Sequence, residues 1–180
     1  MSVIHVHDKQ FQPYISQEEI AAQVQKIARD LEKDYAGKTP LFIPILNGSF
    51  MFASDLFKAL NLPAEICFIK LASYKGTRSS GRVITSIGLD IDLFGRDVII
   101  LEDIIDTGKT ITLFLPQLLH QQPASLKICT LLHKPEAAIY PVTIDYRGFV
   151  IPDKFVVGYG LDYDGLGRNL KEIYQLVEEA

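Results

Sequence analysis

No stretch of the sequence stays apolar for the roughly 20 residues that a bilayer-spanning helix needs, so no transmembrane segment is expected. The first ten residues, MSVIHVHDKQ, hold neither a long apolar run nor a small-residue cleavage site, which argues against a secretory leader. Cysteine is scarce. Cys67 and Cys129 both stand in apolar runs, and free cysteine is among the most buried residue types, so two buried thiols are expected in place of a disulfide. A reducing, cytoplasmic setting fits these absences. Excess positive charge is missing too: 18 Lys and Arg stand against 22 Asp and Glu, a net charge of -4, which gives no blanket attraction to nucleic acid or to an anionic membrane. There is no internal repeat and no low-complexity tract. His5 and His7 could share one strand face as metal ligands, but no third ligand stands near them. His120 and His133 have no visible triad partner, and no histidine is assigned a role.

What is present suits one domain spanning residues 1–180, with 48% apolar residues to build its core. Ser16 followed by Glu19 forms a capping box, and Ile20, Val24, Ile27 and Leu31 recur at helical spacing, so a helix is predicted from Gln17 to about Tyr35. Leu41 to Leu46 reads as a strand, although Pro44 within it counts against a central position. Asn47-Gly48-Ser49 reads as a turn into a helix from Phe50 to Leu60. Ile66 to Leu71, Val83 to Ile91, Val98 to Leu101 and Leu126 to Leu132 follow as strands, with strand-like pieces at Thr143 to Tyr146 and Phe155 to Val157. A helix bent by Pro116 is expected after Gly108. Near the end, Leu170, Ile173 and Val177 fit a helix, while Ile173 to Val177 also fits a strand. Strands alternate with helices, which predicts an α/β fold with a mainly parallel twisted sheet flanked by helices.

The chemistry concentrates in Val98-Ile99-Ile100-Leu101-Glu102-Asp103-Ile104-Ile105-Asp106-Thr107-Gly108-Lys109-Thr110. An apolar strand leads into two acids and then, through a short turn, into a helix start. Ligands of open α/β sheets bind beyond the carboxyl ends of strands, and unpaired N–H groups at a helix start favour anions. Asp106 to Thr110 can therefore cradle a phosphate, with hydroxyls from Thr107 and Thr110 and close backbone approach at Gly108. Glu102 and Asp103 can accept hydrogen bonds from vicinal sugar hydroxyls. The segment lacks the earlier glycine of a P-loop, and no Gly-x-Gly-x-x-Gly follows a strand.

Glu102-Asp103-Ile104-Ile105-Asp106-Thr107-Gly108-Lys109-Thr110 resembles the phosphoribosyl pyrophosphate (PRPP) signature of the hypoxanthine-guanine phosphoribosyltransferases. The resemblance implies the type I phosphoribosyltransferase fold, with a small hood formed by the terminal segments. It also implies that Glu102 and Asp103 hold the ribose hydroxyls, that Asp106, Thr107, Gly108, Lys109 and Thr110 hold the 5-phosphate, and that Asp106 is the catalytic acid or base near N7 of the purine. Leu46-Asn47-Gly48-Ser49 is similar to the pyrophosphate loop, in which the family often carries a cis peptide, although Asn47 stands where a basic residue is common. Ser73-Tyr74 and the polar stretch after it, with Lys75, Arg78 and Arg82, resemble a catalytic lid. Lys134 resembles the lysine that contacts the 6-oxo group. In Pro152 to Tyr163, Phe155 would stack on the purine, Val156 would meet the base edge through its backbone, and Asp162 would reach a magnesium ion. Arg168 resembles the arginine near pyrophosphate. Magnesium is implied as cofactor, with Glu102, Asp103 and Asp162 as candidate ligands, and family precedent favours the strand at Ile173 to Val177.

The resemblance implies salvage of hypoxanthine and guanine to IMP and GMP, without nucleic acid or membrane as partner and with a homodimer or homotetramer as the assembly. Preference for xanthine is a close rival. A PRPP- or nucleotide-sensing regulator on the same fold is the reading from another class. A regulator should carry an extended basic face or an added DNA-binding segment, and neither stands in the sequence.

Overall fold

The computed structural model describes residues 3–73, 83–87 and 89–177. Among these, the chain forms eleven strands and three α-helices in two sheets. The larger sheet is built on four parallel strands, β3 (Leu41–Leu46), β7 (Asp97–Ile105), β8 (Ser125–His133) and β9 (Tyr146–Val150), in the order β3-β7-β8-β9. Beyond β3 lie two short parallel pieces, β4 (Glu65–Ile66) and β5 (Ile69–Ser73), and an antiparallel edge strand, β6 (Val83–Ile87).

Alternation along the strands builds a core on each face of this sheet. Phe42, Ile99 and Leu101 pack with α1 (Gln17–Asp34) and α2 (Phe50–Ala59) through Ile20, Val24, Ile27, Leu31, Phe52 and Leu56. On the other face, Leu41, Ile43, Val98 and Ile100 pack with Ile111, Phe114 and Leu118 of α3 (Lys109–Leu119). The capping box at α1 is formed as expected: the Glu19 amide donates to Ser16 Oγ at 3.2 Å, and the Ser16 amide donates to Glu19 Oε2 at 2.8 Å.

The smaller sheet is antiparallel, in the order β1-β2-β11-β10, from β1 (Ile4–Val6), β2 (Lys9–Ile15), β10 (Val156–Val157) and β11 (Ile173–Leu176). It joins both ends of the described chain into the hood. Its N-terminal pair had no strand assignment in the sequence. The ambiguous end is a strand, with Gln175 paired to Gln12 on one side and Val156 on the other.

Several boundaries differ from the sequence expectation. Pro44 sits in a central strand after all. The carbonyls of Pro40 and Phe42 accept from the Glu65 and Cys67 amides, so Pro44, two residues on, turns its nitrogen to the same side. There the neighbour is interrupted between β4 and β5, and the missing donor costs no ladder bond. The expected strand from Ile66 is split at this interruption. The strand expected at Val98 to Leu101 runs on to Ile105, so Glu102 and Asp103 lie within β7. The piece expected at Thr143 to Tyr146 starts only at Tyr146. Pro116 lies inside α3 without ending it. Cys129 is buried as expected, whereas Cys67 is only half-buried; both are free thiols.

Candidate active site

The carboxyl ends of β3, β7, β8 and β9 lie side by side, and each delivers part of one polar edge. At the end of β3 the Leu46–Asn47 peptide is cis, and the loop passes through Gly48 and Ser49 into α2. Ser49, fully buried, donates from Oγ to the Ile45 carbonyl at 2.6 Å and ties the loop back to its strand.

β7 carries the acids. Neighbouring residues of a strand face opposite sides, and the two carboxylates separate accordingly. Glu102 lines a small depression with Asp106, Gly108, Lys109 and Thr110 at the start of α3. Asp103 lies instead against Gly48 of the β3 loop. Burial pushes the Glu102 carboxyl well above the usual carboxylate range, and the negative charges of Asp103 and Asp106 add to this. Burial likewise pushes Asp103 up to about 6, opposed by the Ile104 amide, which donates to Oδ1 at 2.9 Å, and by the charge of Arg168. The two acids that adjoin in sequence thus serve two sides of the site.

The turn after β7 folds back on itself. The Thr107 amide donates to Asp106 Oδ1 at 2.5 Å, and Asp106 is exposed. Gly108 caps α3 with φ of 77°, a left-handed conformation. A Cβ there would meet the Tyr140 carbonyl oxygen at 2.5 Å and Val142 Cγ2 at 2.9 Å. The Thr107 carbonyl accepts from the Ile139 and Tyr140 amides at 3.1 and 2.9 Å. The segment between β8 and β9 therefore braces the turn from behind, a support the sequence reading missed because it is made by backbone groups with no residue signature.

Lys134 follows β8. Its amide donates to the Ile105 carbonyl at 2.9 Å, and its side chain is nearly buried, with Nζ 3.4 Å from Asp153 Oδ1. Beyond β9, Phe155 is 44% exposed, so it is not a core aromatic; the Tyr163 ring stands edge-on to it at 5.8 Å. Val156 is buried in β10. Arg168 and Asp162 are paired: Nη2 lies 2.6 Å from Asp162 Oδ1, while Nη1 donates to the Gly160 carbonyl at 2.6 Å. Asp162 Oδ2 also accepts from the Gly165 amide at 2.7 Å.

Of the sequence-predicted lid, Ser73 closes β5, and Tyr74 with the stretch to Arg82 lies outside the described residues. His7 touches the Asp164 carbonyl through Nε2 at 3.2 Å, and His133, paired with Ile105 of β7, has Nδ1 3.1 Å from Arg147 Nη1. Among the described residues no group of three or more His, Cys, Asp or Glu side chains is arranged to hold a metal ion. Glu102 and Asp103 diverge, and Asp162 is engaged by Arg168. This donor set fits a hard cation such as magnesium only where substrate oxygens complete the shell. Among the described residues, no helix is long and apolar enough to cross a membrane.

The profile of the phosphoribosyl transferase domain family matches residues 14–164. The chain is 44% identical to the hypoxanthine-guanine phosphoribosyltransferase of Lactococcus lactis over 167 residues, covering 92% of this chain and 91% of that protein. Its fold matches a crystal structure of a hypoxanthine-guanine phosphoribosyltransferase from Bacillus anthracis with a TM-score of 0.87 and 38% identity, over 92% of this chain and 98% of that one. A hypoxanthine phosphoribosyltransferase from Staphylococcus aureus matches with the same TM-score and 40% identity, over 92% of this chain and 91% of the other.

Proposed function

The chain belongs to the phosphoribosyltransferase family, and we propose that it transfers the 5-phosphoribosyl group of PRPP to hypoxanthine or guanine, releasing pyrophosphate and forming IMP or GMP. This is a purine salvage reaction. What supports the assignment beyond the family is the placing, beyond the carboxyl ends of the strands, of an acid on each side of β7, a glycine-capped helix start, a nearly buried lysine and an exposed aromatic ring. Each meets one part of the substrates. No observation favours a regulator on the same fold.

The turn from Asp106 to Thr110 receives the 5-phosphate, with Lys109 and the threonine hydroxyls as donors. Glu102 and Asp103 accept from the ribose hydroxyls on either side. Leu46, Asn47 and Gly48 offer backbone groups to pyrophosphate, and Arg168 supplies positive charge beside them. Phe155 stacks on the purine, Val156 meets its edge through the backbone, and Lys134 donates to the 6-oxo oxygen. An ammonium carries only donors, so it rejects a 6-amino group facing it. Ser73 and Tyr74 open the segment assigned to the lid. Magnesium fits this site on PRPP oxygens near Glu102, Asp103 and Asp162, where it would neutralise charge gathering on the leaving pyrophosphate. The assembly is a homodimer or homotetramer.

The C1–O bond to pyrophosphate breaks as the purine nitrogen attacks from the opposite face, through an oxocarbenium-like ribose and with inversion at C1. Asp106 takes up the proton at N7, which makes the ring the better nucleophile, and its charge faces the developing positive centre. No covalent enzyme intermediate forms, and trapping a ribosyl-enzyme adduct would refute this course.

The test mixes the purified chain with PRPP, magnesium and, separately, hypoxanthine, guanine, xanthine and adenine, with Asp106→Asn alongside. Nucleotide and pyrophosphate are expected with hypoxanthine or guanine, and a loss of about 100-fold or more in the variant. Folded protein that binds PRPP yet makes no nucleotide from any base would sink the assignment.

A further inference from the structure

Lys134 brings to the base site a charge on a flexible four-carbon stem, and a carboxylate beside it decides where that charge points. Its main chain is fixed by the hydrogen bond that its amide donates to the Ile105 carbonyl at 2.9 Å, but this does not fix the direction of the ammonium. The residue is 8% exposed, and a charge so far out of water needs a partner. Among the described residues, the carboxylate in reach is Asp153, with Oδ1 at 3.4 Å. Asp153 stands on a tight turn in which the Lys154 amide donates to the Pro152 carbonyl at 2.8 Å. The next residue along is Phe155.

We propose that Asp153 is a positioning residue for Lys134, holding the ammonium at the base site so that a second N–H meets the 6-oxo oxygen. The proposal rests on the assignment of Lys134 to that oxygen. An ammonium has three donors, and Asp153 uses one of them, which leaves two for the base. Because the counter-charge and the stacking ring share the turn from Pro152 to Phe155, the plane of the base and the donor to its edge are set by one short segment. Asp153 touches neither substrate. Its effect passes through Lys134 and is confined to the base.

Steady-state kinetics of the full chain, with PRPP, magnesium and hypoxanthine, test this in the parent protein, Asp153→Asn, Asp153→Glu and Lys134→Met. The Asn variant should raise the KM for hypoxanthine about tenfold, the usual scale for a lost charge-assisted hydrogen bond. Its kcat and its KM for PRPP should stay within about threefold, the pattern of lost base binding without lost chemistry. The Glu variant should recover most of the loss. Asp153 is 60% exposed and the Asn oxygen can still accept from the ammonium, so the melting temperature should fall by no more than about 4 °C. A hypoxanthine KM unchanged in Asp153→Asn while Lys134→Met raises it overturns the proposal. So does a parallel rise in both KM values that Glu does not restore. If Lys134→Met leaves the hypoxanthine KM untouched, the assignment of Lys134 falls first, and a parent protein that forms no IMP removes the functional reading itself.

Discussion

The carboxylate of Asp103 occupies the space where a side chain on residue 48 would begin: a Cβ built on Gly48 would stand 1.7 Å from Oδ2. The acid of one strand and the loop of the next are thus fitted to each other. On the proposed placement of PRPP, its ribose and pyrophosphate ends would meet at this contact.

Gly48→Ala should therefore cost more than a lost glycine usually does. The methyl group and the carboxylate cannot both stay, and overpacking of this kind costs about 1–3 kcal/mol. The KM for PRPP should rise at least as strongly as the melting temperature falls, while the KM for hypoxanthine stays near the parent value. Equal changes in the two KM values would show that the contact matters only for folding.

Asp103 also makes stability depend on pH. Its folded-state value, about 6, lies above its ordinary 3.8, so the folded protein binds more protons than the unfolded chain between these values. The stabilisation is complete below 3.8 and is lost as pH rises through 6; Glu102 is shifted in the same direction. Asp103→Asn removes the ionisation and should stabilise the protein at pH 7.5, by on the order of 2 kcal/mol. The gain should vanish at pH 4, and the KM for PRPP should rise. Calorimetry at the two pH values checks the first part, and a stability difference independent of pH would contradict it.

Gly108→Ala places a methyl group against the Tyr140 carbonyl, at a φ of 77° that L residues rarely adopt. Strain of this kind costs about 1–3 kcal/mol. The turn should shift, and affinities for PRPP and IMP, which share the 5-phosphate, should fall together by about tenfold. Isothermal titration with IMP reads this directly, and wild-type IMP affinity would remove the phosphate from this turn.

Phe155→Ala tests the stacking role. Removing an aromatic platform under a base costs about 1–3 kcal/mol, so the KM for hypoxanthine should rise about tenfold or more. The ring is 44% exposed, so thermal stability should change little. A large loss of stability with an unchanged KM would make Phe155 a packing residue only.

The sequence declared the parallel core through its apolar runs, and the segment from Glu102 to Thr110 marked the site. Other features had no such signature. Glu102 and Asp103 read as one pair, because only the pleat of β7 sends them to opposite sides, and acids are poor strand formers that hid the strand's extension to Ile105. Pro44 argued against its own strand until the gap between β4 and β5 placed its missing donor. β1 and β2 are short, mixed in polarity and stabilised by a partner some 160 residues away, at Ile173–Leu176. Asp153 stood inside the recognised stretch from Pro152 to Tyr163, yet only its distance to Lys134 distinguishes it from a surface acid.

That long-range pairing orders the birth of the molecule. A growing chain can complete the parallel core once Val150 is available, since β9 is the last strand to join it. The hood cannot close on the same schedule, because β11 lies between β2 and β10 and is made after both. During synthesis β1 and β2 wait as a hairpin without their neighbour β11. The smaller sheet is thus completed only when Ile173–Leu176 is laid against β2, after every strand of the parallel core has been made.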